Sequence, residues 1–132
     1  MDNEYLPIDG DQEFIKLATT LAYGENQPNI KNGTVAGIQT LSGCGGVRLG
    51  LDMIKKEFPD KTICVPNPSW PIHKQIVQDL NLTLKDYAYF NPKDIGLDFA
   101  GMKKDLESVP EGSVVILHVC SHNPTGVDPT HA

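Results

Sequence analysis

The sequence predicts an α/β fold, a doubly wound and mostly parallel sheet with crossover helices. Four short β-type runs, Val35 to Leu41, Thr62 to Pro66, Leu84 to Phe90 and Val114 to Leu117, alternate with segments whose apolar residues recur at helical period. Glycine- and proline-containing turns punctuate the alternation, and strands in that order join through right-handed crossovers. A length of 132 residues with 39% hydrophobic and 21% charged residues suits one modest domain with a real core.

Each element has its own local justification. After an extended start, Tyr5 to Ile8, the residues Phe14, Leu17, Ala18, Leu21 and Ala22 form a helical stripe, with Asp9 or Asp11 as cap and Gly24 as stop. A loop rich in Asn, Pro and Gly, Glu25 to Gly33, precedes the first strand, which enters the cluster Ser42-Gly43-Cys44-Gly45-Gly46. The next helix carries Val47, Leu51, Ile54 and Phe58 on one stripe, with Leu49 and Met53 widening the buried face. Pro59-Asp60 closes it.

The strand from Thr62 to Pro66 runs into Asn67-Pro68-Ser69-Trp70 and then a helix bearing Ile72, Ile76, Val77 and Leu80. After the third strand, Asn91-Pro92 makes a turn, and Asp98 caps a helix with the apolar face Phe99, Met102, Leu106 and Val109. Pro110-Glu111-Gly112 stops it. The last strand, Val114 to Leu117, feeds His118-Val119-Cys120-Ser121-His122-Asn123-Pro124-Thr125-Gly126, and the carboxyl ends of strands are where open α/β sheets bind ligands.

Composition narrows the partners. A net charge of −6 disfavours the phosphate-neutralising surface that nucleic acid or an anionic membrane needs, so a small-molecule or protein partner fits better. Three cysteines, Cys44, Cys64 and Cys120, form no paired spacing and point to a reducing, cytoplasmic compartment, where the sequons at Asn32 and Asn81 carry no glycan. The acidic start has no signal or transit character, although a targeting segment preceding Met1 would leave a mitochondrial or other organellar form open. No run is long enough to span a membrane.

Several groups could carry chemistry. The small residues Ser42 to Gly46 at a helix start leave backbone N–H groups for a phosphate, or else merely let helix and strand approach closely. A dinucleotide fingerprint fails twice, because Arg48 stands where a third glycine belongs and Pro66-Asn67 where an acidic residue belongs. Trp70, the only tryptophan, is either a stacking platform for a planar ring or a core residue covering the sheet end. His73 is by default a solvated helix residue. His118, Cys120 and His122 would alternate on one face if the strand continued, imitating metal ligands, but no second cluster completes a shell and metal is disfavoured. Asn123-Pro124-Thr125-Gly126 reads as a turn whose Asn-Pro bond can be cis, aiming the side chain sharply.

Taken together, Tyr5-Leu-Pro-Ile8, Leu41-Ser-Gly43, Asn67-Pro-Ser-Trp70 and His122-Asn-Pro-Thr-Gly126 resemble the pyridoxal-phosphate aminotransferases of fold type I, most closely the aspartate aminotransferase group. The resemblance covers essentially the whole chain and implies the amino-terminal part of the large domain, so a partial doubly wound sheet. It implies that Ser42, Gly43 and Cys44 cradle the cofactor phosphate, that Trp70 stacks on the pyridine ring, and that Asn123 donates to the phenolic oxygen. His73, with His118 behind it, would support the aspartate that pairs with the pyridine nitrogen. Tyr5 would reach the phosphate of a neighbouring subunit, making the functional unit a homodimer.

The chain departs from the family at Cys44, where a threonine hydroxyl is usual, and at Pro71-Ile72, where small or polar residues usually follow the tryptophan. Residues 1–33 are expected to form an arm, helix and loop, and residues 34–132 an incomplete cofactor-binding domain. The resemblance implies transfer of an amino group from aspartate to 2-oxoglutarate, giving oxaloacetate and glutamate. It also implies that the Schiff-base lysine and the substrate-binding arginines lie outside this chain, which has no catalytic residue of its own and is inactive alone; its lysines fall on helical polar faces, in turns or at a strand start. A non-catalytic fragment or pseudoenzyme binding phosphate-bearing ligands or a protein is the alternative. The strand Val35 to Leu41 would lack its family partner and make an aggregation-prone edge.

Overall fold

The structure, a computed structural model, describes residues 4–130, which fall into two compact units divided between Gly46 and Val47. In the second unit a parallel sheet is centred on β1 (Thr62–Asn67), which pairs along its whole length with β2 (Thr83–Ala88), from Thr62↔Thr83 to Asn67↔Ala88. On its other side β1 pairs with β5 (Val114–Val115) through Ile63↔Val114 and Cys64↔Val115, giving the order β2-β1-β5. A central strand is covered on both faces, and β1 accordingly buries four consecutive residues, Ile63 to Pro66.

Alternation along β1 sends its side chains into two cores. Ile63 and Val65 meet Leu51 of α3 (Ser42–Glu57) and Ile76, Val77 and Leu80 from α4 (Pro71–Asp79) and its end. Cys64 points the other way, with Tyr87 and Tyr89, toward Met102 and Leu106 of α5 (Phe99–Glu107). Helices on both faces are the doubly wound arrangement that the alternation predicts. Pro71 opens α4 at its first turn, where a missing N–H costs nothing, and the Asp98 carboxylate caps α5 by accepting the Gly101 N–H at 2.9 Å.

A hairpin between β2 and α5 was not legible in the sequence. It consists of β3 (Phe90–Asn91) and β4 (Gly96–Leu97), antiparallel, and its turn is held by the Lys93 N–H donating to the Asn91 carboxamide oxygen at 3.0 Å. Two-residue strands carry too few positions for a period to emerge.

The first unit contains α1 (Gln12–Tyr23) and the single turn α2 (Pro28–Lys31). Asp11 caps α1 by accepting the Phe14 N–H at 2.8 Å, and Gly24 ends it at φ 87°. The strand expected from Val35 to Leu41 is not formed: a strand exists only through a ladder, and among the described residues none pairs with this segment. It is tethered instead by the Gln39 N–H to the Asp9 carbonyl and by the Asp11 N–H to the Gln39 side-chain oxygen.

Several predicted apolar faces are open. Phe14, Leu17 and Leu21 of α1, Leu49 and Met53 of α3, and Phe58 and Phe99 are exposed, contrary to the expected buried faces. Helical period tells which residues share a side, and only tertiary packing tells whether anything covers that side.

Candidate functional site

The carboxyl ends of β1 and β5 deliver two loops to one place in the second unit. The β1 loop contains a cis Asn67–Pro68 bond, Ser69 and Trp70, and leads into α4 with His73 in its first turn. The last ladder bond of β5 is the Ile116 N–H to the Cys64 carbonyl at 2.9 Å; the chain then turns, so His118, Cys120 and His122 do not alternate along a strand as their spacing allowed. Asn123–Pro124 is cis. Trp70, His73, His118, Cys120 and Asn123 line a single cavity of about 370 Å³. A second concavity of about 340 Å³, near the amino ends of β1 and β5, is lined by Lys61, Thr62, Pro110 and Ser113 and carries none of the predicted site residues.

Rings dominate this site. The Tyr89 ring stacks on His122 at 3.7 Å and 13°, His122 on His118 at 4.4 Å and 30°, His118 meets His73 edge-on at 5.0 Å, and His73 meets Trp70 edge-on at 5.4 Å. His73 is buried, not solvated, because α4 turns that side toward the sheet end; His122 is buried to 1% exposure. Burial holds all three imidazoles below the usual histidine range, and their mutual repulsion adds to it at His73 and His122, while Asp128 opposes it at His118 and His122. The column therefore favours neutral rings.

Backbone geometry fixes which nitrogens carry protons. The Asn123 N–H donates to His118 Nδ1 at 3.2 Å, so that nitrogen is bare and the His118 proton sits on Nε2. His118 Nε2 then donates to His73 Nδ1 at 3.4 Å, which the Ser69 hydroxyl also approaches at 3.0 Å. His73 is left with its proton on Nε2, presenting a donor. A neutral imidazole used this way can support a carboxylate without adding a full charge.

The loop carrying Asn123 is closed on itself. Asp128 accepts the Ser121 N–H at 2.7 Å and the His122 N–H at 2.8 Å, and those bonds hold its carboxyl below the usual range. Thr125 Oγ1 lies 2.8 Å from His122 Nδ1 and accepts the Val127 N–H, while the Tyr89 hydroxyl donates to the Val127 carbonyl at 2.7 Å.

Among the residues predicted from sequence, Trp70, His73, His118 and Asn123 are thus brought together. Ser42, Gly43 and Cys44 stand exposed at the start of the sixteen-residue α3, with Ser42 at φ 59° and open space around the position a Gly43 side chain would take. Tyr5 is fully exposed in the arm. Ser69, Tyr89 and Asp128 hold parts of the site that their sequence positions did not single out; an aspartate following a Pro-Thr-Gly turn is a signal for amide capping that could have flagged the last. No group of three or more His, Cys, Asp or Glu among the described residues is arranged to hold a metal ion, and none of their helices is long and apolar enough to cross a membrane.

The sequence profile of the family described as Aminotransferase class I and II matches residues 1–132. The chain belongs to that family. This aminotransferase chain is 45% identical over 130 residues to "Aspartate aminotransferase, mitochondrial" of Dictyostelium discoideum, covering 98% of itself and 30% of that relative. It is 46% identical over 129 residues to "Aspartate aminotransferase, chloroplastic" of Arabidopsis thaliana, covering 98% of itself and 28% of that relative. The chain therefore spans about 30% of the length of the curated relatives it matches.

Among solved structures, a mitochondrial aspartate aminotransferase from Trypanosoma brucei superposes with a TM-score of 0.94 at 37% identity, over 99% of this chain and 35% of that one. An aromatic-amino-acid aminotransferase from Burkholderia pseudomallei, covalently bound to pyridoxal phosphate, gives 0.95 at 33% identity, over 98% of this chain and 33% of that one. The α/β fold of this aminotransferase chain is thus part of the fold type I architecture.

Proposed function

We propose that this chain is the cofactor-holding part of a pyridoxal-phosphate-dependent aspartate aminotransferase, which exchanges an amino group between aspartate and 2-oxoglutarate. The observation that carries it is the convergence of Trp70, His73, His118 and Asn123 on one cavity at the carboxyl ends of parallel strands. The donor set fits the cofactor. A flat indole suits a pyridine ring, a carboxamide suits a phenolic oxygen, and the N-terminus of a long helix with small residues suits a phosphate.

Bound pyridoxal phosphate supplies an electron sink for the substrate's α-carbon. Trp70 orients the ring and excludes water from one of its sides. Asn123 donates a hydrogen bond that holds negative charge on the phenolic oxygen. His73, with its Nε2 proton available, supports the carboxylate expected to pair with the pyridine nitrogen, and His118 holds His73 in that tautomer. Ser42, Gly43 and Cys44 bind the phosphate; with a thiol in place of a hydroxyl, Cys44 is a weak donor.

Lys55 lies on the Leu80 carbonyl, Lys56 beside Glu57, Lys74 on Asp86, Lys85 on Ser108 and Lys103 on Glu107. By the family resemblance, the reacting amine and the carboxylate-binding arginines belong to the remainder of the full-length protein, and residues 34–132 to its large domain. Tyr5 reaches the phosphate of a second subunit in a homodimer, and the compartment is cytoplasmic.

The full-length protein supplied with pyridoxal phosphate is expected to convert aspartate and 2-oxoglutarate to oxaloacetate and glutamate. Trp70→Ala and Asn123→Ala should each lower kcat/KM at least about tenfold. Absence of oxaloacetate formation, with cofactor demonstrably bound, would overturn the aspartate reading.

A further inference from the structure

We infer that Asp128 is a positioning residue for the cofactor's phenolic oxygen, acting through Asn123; this rests on the cofactor reading above. Among the described residues the Asn123 carboxamide has no hydrogen-bond partner, so the direction of its side chain is set by the backbone that carries it. That backbone is not held by regular structure. It follows Ser121, which sits at φ 52° in a region that non-glycine residues occupy only when their surroundings enforce it.

The enforcing group is the Asp128 carboxylate. It accepts the Ser121 N–H on one oxygen and the His122 N–H on the other, the two amides immediately before Asn123. Charge-assisted bonds of this kind are about twice as strong as neutral ones. Asp128 itself is exposed and joins neither hydrophobic core, so its role in packing is small. The other ties are the Asn123 N–H to His118 Nδ1, Thr125 Oγ1 beside His122 Nδ1, the Gly126 N–H to the His122 carbonyl and the Tyr89 hydroxyl to the Val127 carbonyl, and none of them reaches the Ser121 amide. Removing the carboxylate frees the Ser121 and His122 amides, in the backbone that sets the direction of the Asn123 side chain and of its N–H toward His118.

The test uses the full-length protein loaded with pyridoxal phosphate and follows the absorbance of the bound cofactor against pH. A donor on the phenolic oxygen favours its negative form and lowers the pH of the transition, so losing that donor raises it. Asn123→Ala sets the full shift. Asp128→Ala should move the midpoint upward by about 0.5 pH unit or more, and Asp128→Asn, which keeps one acceptor oxygen, by less in the same direction. Combining Asp128→Ala with Asn123→Ala should add nothing beyond Asn123→Ala alone, as expected for two residues acting through one contact.

In the cofactor-free protein, Asp128→Asn should speed exchange of the His122 and Asn123 amide protons roughly tenfold, a readout that serves equally if Asp128→Ala does not fold. Asp128 variants that titrate and exchange like the unsubstituted protein, beside a shifted Asn123→Ala, overturn the role of Asp128 and leave the cofactor reading standing. An unshifted Asn123→Ala overturns the phenolic-oxygen reading and this inference with it.

Discussion

The two units show opposite uses of similar sequence patterns. In the second, Ile63, Val65 and Val77 are fully enclosed and helices pack on β1 from both faces, although Leu49, Met53, Phe58 and Phe99 stand open. In the first, α1 carries an equally regular apolar stripe, yet Phe14, Leu17 and Leu21 stand open and Val35 to Leu41 runs without a ladder. Amphipathic order is thus a request for a partner. The second unit answers the requests made around β1, at whose carboxyl end the cavity residues Trp70, His73, His118 and Asn123 gather.

The largest effect is expected where that contrast is strongest. Ile63→Ala should cost about 2–5 kcal/mol of unfolding free energy, because a fully enclosed side chain leaves a cavity that its neighbours only partly refill. Denaturant unfolding of the full-length protein measures it, and a cost near zero would mean that the sheet core does not support the second unit. Tyr87→Phe comes next. Its hydroxyl donates to the Ile116 carbonyl at 2.8 Å, burial pushes its ionisation up to about 12, and deletion should cost about 1–2 kcal/mol by orphaning that carbonyl.

A pH series sharpens the comparison further. His73, His118 and His122 are held below the ordinary value of 6.5, so the unfolded chain takes up protons before the folded one does. Stability from these rings is present above about pH 6.5 and is lost as the pH falls through their lowered folded values. Asp128, held below the ordinary 3.8, keeps its contribution until much greater acidity. Melting temperature should fall between pH 7.5 and pH 5, less steeply in His73→Gln; a flat profile would contradict neutral burial.

The smallest effect is expected in the first unit. Leu17→Ser should change stability by no more than about 0.5 kcal/mol, since the side chain is already open. The same substitution should reduce association of a polypeptide comprising residues 1–132, measured by light scattering. A large loss of stability would show that α1 is covered in solution and would erase the contrast drawn between the units.

Much of the site was legible because its residues sit at strand ends announced by composition: Trp70 after Thr62 to Pro66, and Asn123 after Val114 to Leu117. Ring stacking was not legible, since Tyr89 and His122 are far apart in sequence and meet only because β2 and β5 flank the same strand. His73 misled for a related reason. Its helix position alone says nothing of the sheet end against which α4 packs.

By itself the sequence determined the alternation of helices with β1, β2 and β5, the cap at Asp98, a cap at Asp9 or Asp11, and the chemistry gathered at strand ends, because each depends on neighbours a few residues away. Only the tertiary structure decided which apolar faces are covered, that Val35 to Leu41 forms no ladder, that three histidines share one column of rings, and that Asp128 reaches back to the Ser121 and His122 amides. Those outcomes depend on which distant segments meet, and a residue's local pattern carries no record of what will lie across from it.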